Sequence, residues 1–273
     1  MSTSPPRSGT ALLRAWPASA LALWATAWRA GVVAPDDAVN TLHDYAQAHE
    51  VDAAPGTGIV SSDSVLDLLN LVGRASAGAV VLPAPGDAQG LPPRVLTDEA
   101  LAAGEMLLLA PEAGGRLAMT ARGTAERCRW TVRALDVSVD IEAIGADQTA
   151  GELEYELREA VAEAAAVIAG LSGPRTSGPA DLRDALAART RALGLDLPPH
   201  DRQRVDRMLA TAGQIDAIIS LVASTGLGSG GGLGVSAGQV ESADAQLRRL
   251  AALTRRARAA AVNTLLRDFR REL

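Results

Sequence analysis

Apolar residues recur at alternating steps of four and three through the second half of this chain, and that spacing constrains the fold more than any other feature. Leu153, Leu157, Ala160, Ala164, Val167 and Leu171 keep the step, and so do Val205, Met208, Ala212, Ile215, Ile219 and Val222. A 3.6-residue helix turns such positions to one side, so each run predicts an amphipathic, coiled-coil-like helix. Thr149 and Glu152 form a capping box at the start of the first, and Gly173 with Pro174 ends it. A second helix from Pro179, with Leu182, Leu186 and Leu193 inward, stops at Gly194; a third opens at Pro198 and Pro199. The fourth runs from Ala237 to Leu273. Short connections imply antiparallel neighbours, so residues 148–273 are expected to form an antiparallel four-helix bundle. Its last connection, residues 224–236, holds six glycines and reads as a flexible tether.

Residues 1–147 have a different pattern and are expected to form a separate mixed domain. One helix ends near Gly31, with Leu21, Trp24 and Trp28 along its inner stripe. Arg7 and Arg14 before the apolar run from Ala15 to Trp28 could pass for a signal peptide, but Pro17 and the three tryptophans fit a core-facing helix better. A second helix opens at Pro35, with Asp36 and Asp37 in its first turn and Val39, Leu42 and Ala46 on one face. Ser62 is the expected N-cap of a third, burying Val65, Leu69 and Val72.

Strand-like runs then follow at Ala79–Leu82, Met106–Ala110, Leu117–Ala121 and Arg127–Ile141, with a short helix over Thr97–Glu105. From Cys128 the apolar positions alternate through Trp130, Val132 and Ala134, and then the parity inverts to Leu135, Val137, Val139 and Ile141. Period-two alternation changes parity only at an irregularity, so a bulge or bend is expected near Ala134 and Leu135. The expected fold is α+β and predominantly helical: N-terminal helices with a small antiparallel sheet, then the bundle.

Composition enters as a set of exclusions. All 26 basic residues are arginine. Without lysine there is no Walker A loop, no protein-kinase phosphate lysine and no Schiff-base lysine. Cys128 is the lone cysteine, so an intramolecular disulfide and a thiolate-rich zinc site are both excluded, and a reducing cytoplasm is the simplest location. No apolar run reaches the length of a membrane-spanning helix.

Three groups have the residue types of a possible site. His43 and His49 stand six apart, which separates them on a helix by about 120°, so a shared metal would need the helix to break before His49. Cys128 faces with Trp130 and Val132 while Arg127 and Arg129 point the other way, which makes it a core residue. The last helix carries eight arginines against four acids in a chain of net charge −6. Arg248, Arg249, Arg255, Arg256, Arg267, Arg270 and Arg271 form its basic side, the candidate interaction surface; Arg258 alone falls in the apolar stripe and must snorkel or pair. The glutamates of the helix from Thr149 offer that basic side a complement.

No catalytic residue, metal site or cofactor is expected. The leading functional expectation is a non-enzymatic interaction or scaffold protein, self-associating or binding another protein through its helices. A nucleic-acid-contacting regulator using the arginine helix is the second, and an enzyme with a site between the sheet and the bundle is the third. No membrane partner is expected.

Overall fold

The computed structural model describes residues 12–89, 91, 94–95, 97–145, 149–171, 179–224 and 237–273. Among them the protein is a mixed α/β fold, roughly half helical, with eight helices and one five-stranded sheet. The first half runs α1 (Pro17–Arg29), α2 (Pro35–His43), β1 (Ala48–Ala53), α3 (Val65–Gly73), β2 (Ala77–Val81), α4 (Asp98–Ala103), β3 (Met106–Ala110), β4 (Leu117–Gly123) and β5 (Arg127–Ala134). The second half contributes α5 (Ala150–Leu171), α6 (Pro179–Ala192), α7 (Gln203–Ser224) and α8 (Ala237–Arg271). The expected tether over residues 224–236 lies almost wholly outside the described residues.

The sheet order is β1-β5-β4-β3-β2. β2 to β5 form an antiparallel run, but β1 lies parallel to β5, so the sheet is mixed and not the antiparallel one expected. β1 escapes a sequence reading because it turns only His49 and Val51 fully inward, and its other residues include Glu50 and Asp52, which suit a helix end equally well. α2 therefore stops at His43, and Ala46 is buried beyond it rather than on it. β5 ends at Ala134, where the parity change had predicted a bulge; Leu135 to Ile141 leave the sheet. Ser64, not Ser62, caps α3 by accepting from Asp67 N. Ser62 instead bridges to Val51 and donates to Asp67 Oδ2 at 2.6 Å.

Every residue of β3 is buried because both faces of the sheet are covered. One face carries Leu107, Leu109, Met119 and Trp130 against α1 and α3; the other carries Met106, Leu108 and Ala118 against Leu91, Val95, Ala100, Val139 and Ile141. α1 is buried nearly all round, with Ala18 to Leu23 at 0% exposure, so this first apolar run is the centre of the molecule.

Both sheet edges are closed. The 61–62 segment pairs with β1 through Val51 and through Ser61 Oγ on Ala53 N. At the other edge the Asn263 side chain imitates a strand: its Oδ1 accepts from Val80 N at 2.7 Å and its Nδ2 donates to Val80 O at 2.9 Å. An exposed edge is a template for aggregation, and a buried amide on α8 blocks this one. Asn263→Ala strands two buried backbone groups and should lower stability by about 2–3 kcal/mol. Urea unfolding measures the loss, and an effect below about 0.5 kcal/mol would contradict the pairing.

The C-terminal helices were expected as a self-contained bundle, but they are arranged around α8. α5 and α7 both pack along it, α6 lies on α7, and α8 reaches past them to α1 and β2. Ala257 to Asn263 are buried one after another, so this stretch of α8 is buried on all sides and not along one stripe. α5 buries Leu153, Leu157 and Ala160, and α7 buries Val205, Met208, Ala212 and Ile215, as the spacing predicts. No helix of the described residues is long and apolar enough to cross a membrane.

Candidate functional site

Several hollows open on the surface formed by the described residues. One is a half-open cleft of about 710 Å³ where the sheet meets α8, walled by β2, the 86–91 segment, the 138–145 segment, α5 and α8. Residues from both halves of the chain line it, which is the place where an enzyme site was expected to lie if there was one. Its floor is apolar: Val80, Leu91, Val139, Ile144 and Leu153. Its polar groups are Asp87, Gln89, Ser138, Asp140, Arg256 and Asn263.

The chain builds the rim by turn chemistry. Pro85 and Gly86 occupy the centre of a tight turn closed by reciprocal Ala84–Asp87 backbone bonds of 2.9 and 2.8 Å, and Gly86 takes the positive φ of 80° such a turn demands. Asp87 then becomes a hub. It accepts from Arg255 Nη2 at 3.1 Å, from Gln89 N at 3.3 Å and from Gln89 Nε2 at 3.2 Å. Burial opposes its charge, but the bonds from Arg255 and Gln89 together hold its carboxyl below the ordinary range. Gln89 itself sits at φ 52°, a left-handed conformation uncommon outside glycine and asparagine. Across the cleft, Asp140 Oδ1 accepts from Glu142 N and Ala143 N at 3.1 and 3.2 Å, which pins the opposite wall.

The candidate arginines separate into different environments. Arg248 and Arg249 are exposed, and Arg248 pairs with Asp244 one turn earlier at 2.9 Å. Arg255 is committed to Asp87, while its neighbour Arg256 is half-buried in the cleft wall. Arg267 is half-buried, and burial, reinforced by Arg271, pulls its pKa down. Arg270 donates to Ala75 O beside Gly78, where a Cβ would come within 2.7 Å of its Nη2. Arg271 is exposed and pairs with Asp268 at 3.3 Å. Glu154 of α5 pairs with Arg158 on its own helix and with Arg204 of α7, at 3.3 and 3.6 Å.

Of the two alternatives for Arg258, snorkelling or pairing, the structure shows pairing with an acid. Arg258 is 1% exposed, reaches Asp216 of α7 at 2.8 Å and lies 4.4 Å over the Trp16 ring. Beside it is a second buried charge, Glu105, which sequence reasoning missed: a lone acid just before the apolar run of β3. Glu105 takes the N-terminus of α1, accepting from Ala18 N at 2.6 Å, Ser19 N at 2.9 Å and Ser19 Oγ at 2.5 Å. Burial raises its pKa, and the α1 bonds and the charge of Arg258 oppose the rise.

His49 is buried with both ring nitrogens engaged. Nδ1 accepts from Trp130 Nε1 at 3.0 Å, so the proton is on Nε2, which faces Leu42 O at 2.9 Å. Burial lowers its pKa, and exposed His43 stands edge-on to it at 5.8 Å. Cys128 is buried, and desolvation, with the charge of Glu105, pushes its thiol up to about 12. Ellman's reagent should therefore leave the native protein unlabelled over hours and react at once in denaturant; rapid native labelling would contradict this burial.

The second hollow, about 620 Å³ and more open, lies between the 58–62 segment and α3. Val60 stands at its mouth, 83% exposed. The third, about 410 Å³, gathers Arg29, Arg74 and Arg270 where α1, α3 and α8 end. Three helix C-termini present negative dipole ends there, which accounts for the arginines.

These features define a mixed α/β protein whose two halves share one core and one cleft. Residues 18–144 match the family described as Rv1486c-like protein, N-terminal domain, and residues 151–259 match Rv1486c-like protein, C-terminal domain. The chain belongs to the Rv1486c-like family. It is 32% identical over 293 residues to the protein named "Uncharacterized protein Rv1486c" of Mycobacterium tuberculosis strain H37Rv, covering 92% of this chain and 97% of the relative. It is 30% identical over 299 residues to "Uncharacterized protein ML1804" of Mycobacterium leprae, with the same shares covered. No solved structure matches it.

Proposed function

We propose that the protein is a small-molecule-binding protein and that its site is the cleft between the sheet and α8. One observation carries this: a pocket of about 710 Å³, within the usual size of ligand sites, with an apolar floor and a few convergent polar groups. Gln89, in its unfavourable backbone conformation on the rim, adds support, since such residues cluster at ligand sites. If chemistry follows binding, the enzyme expectation is the same reading extended by a reaction.

The test fills the cleft. Ala252 is half-buried in its wall, so Ala252→Trp occupies the space without entering the core. Thermal shift against a metabolite collection should find compounds that stabilise the natural protein and not the variant. Compounds that stabilise both equally would place binding elsewhere.

The scaffold expectation stands as a second proposal, favoured by Val60 and by half-buried Ile59 and Leu71 around the second hollow. A second copy of the chain is the occupant proposed, and light scattering that reports a monomer for both the natural protein and Val60→Asp at all concentrations would remove it. The nucleic-acid proposal has less support, because Arg255, Arg258 and Arg270 are engaged with Asp87, Asp216 and Ala75 O. A cytoplasmic setting remains part of the proposal, supported by a cysteine kept as a buried thiol.

A further inference from the structure

The polar groups around the cleft differ in how far they are already committed. Asn263 spends both ends of its amide on Val80. Asp87 is neutralised by Arg255 and bonded twice by Gln89, and Asp140 gives one oxygen to two backbone amides. Arg256 is the exception. It is half-buried in the wall and makes no ion pair among the described residues, although Arg255 beside it is paired. Two adjacent arginines on one helix thus differ: one latches the rim to α8, and the other lines the cavity.

The ligand's charge follows from which of those groups lacks a partner. Asp87 and Arg255 cancel, leaving Arg256 against the more exposed Asp140. A neutral ligand would leave half-buried Arg256 without a counter-charge, and the second charge of a dianion would face Asp140 with no cation of its own. A single carboxylate matches the planar fork of one arginine and can accept two parallel N–H bonds. The floor of Val80, Val139, Ile144 and Leu153 then calls for an apolar body attached to it.

From this, and resting on the cleft being a binding site, we infer that the protein takes a small amphipathic monocarboxylate, with its carboxylate on Arg256 and its apolar body over the cleft floor. Arg256 is a specificity-determining residue for that class of ligand. Its substitution should leave the fold intact, since the rim is held by Arg255 and the sheet edge by Asn263.

Octanoate, octan-1-ol and octyl phosphate share one chain and differ in the head, so they serve as probes. Titrated at pH 8 and followed by backbone amide shifts, octanoate should bind about tenfold tighter than the alcohol or the phosphate, as expected for one added charge-assisted pair. Arg256→Gln should erase that preference while keeping the natural melting temperature, and Arg256→Lys should retain part of it. Equal binding of all three probes in the cleft, unchanged by Arg256→Gln, would overturn the carboxylate inference and leave the cleft reading standing. Binding that survives Ala252→Trp would overturn both, and so would the absence of binding by every probe and every compound of the thermal-shift collection. Tighter binding of octyl phosphate would overturn the single-charge argument alone.

Discussion

Replacing Arg258 by methionine should lower the stability of the protein by about 3–5 kcal/mol at neutral pH, the usual cost of breaking a buried ion pair from one side. Methionine keeps much of the apolar volume, so the loss is one of charge. Asp216, 17% exposed, is left without its partner at 2.8 Å, and fully buried Glu105 loses the nearby cation that helps it stay ionised. Trp16 loses the guanidinium over its ring as well.

The loss must depend on pH, and its sign follows from the two carboxyls. Burial lifts both Asp216 and Glu105 above their ordinary values, and Arg258 works against that rise. Without Arg258 both are lifted further. An acid whose folded pKa exceeds its unfolded value costs stability at any pH above the folded pKa, and the cost disappears as pH falls toward the unfolded value of about 4. The variant's deficit should therefore be greatest near pH 7–8 and shrink on acidification toward about pH 5. Urea unfolding of both proteins across that range measures it. A deficit under about 1 kcal/mol, or one constant with pH, would contradict the buried-charge account.

Residues 12–147 expressed alone should fail to reach the native fold, although the sequence reads as if a domain ended there. β2 would lose the Asn263 amide that closes its edge, and Leu265, Leu266 and Phe269 of α8 belong to the same core cluster as Leu107, Leu109 and Trp130 of the sheet. The entry to α1 would also lose its outer support: Trp16 and Trp24 donate to Leu193 O and Asp196 O at 3.1 and 3.0 Å, and Arg14 is bonded to Asp196. The fragment should lack a cooperative thermal transition and aggregate, and mixing it with residues 148–273 should restore near-native circular dichroism. A lone fragment that melts cooperatively near the full chain's midpoint would contradict the shared core.

Local chemistry carried a good part of this fold into the sequence. Pro at the start of α2, Thr97 before α4, the Thr149 capping box and the period-two run through Cys128, Trp130 and Val132 each act within a few residues, and each is where it was expected. What stayed hidden depends on partners far along the chain. β1 is a strand because β5 offers it an edge, and nothing in Ala-His-Glu-Val-Asp-Ala demands it. α8 was read as one apolar stripe with a single intruding arginine, yet it meets α5, α7, α1 and β2 at once. Asn263 in the middle of an apolar run was the available signal, since a polar residue there must find a buried partner.

The candidate site was legible only as a location. Arg256 was named as one of seven basic residues, but its separation from Arg255 depends on Asp87, which lies 168 residues earlier in the chain. The prolines and glycines of residues 83–93 mark that segment as turn chemistry, which the Ala84–Asp87 turn bears out, but they do not mark the surface the turn would meet.

The central claim is that the cleft at α8 is where this protein binds its ligand, and mapping backbone amide shifts during an octanoate titration tests it most directly. The account predicts that the largest changes fall on residues 80–91, 138–145 and 252–263, with the hollows beside Val60 and around Arg29, Arg74 and Arg270 unaffected. Changes concentrated in either of those hollows, with the cleft residues still, would contradict it.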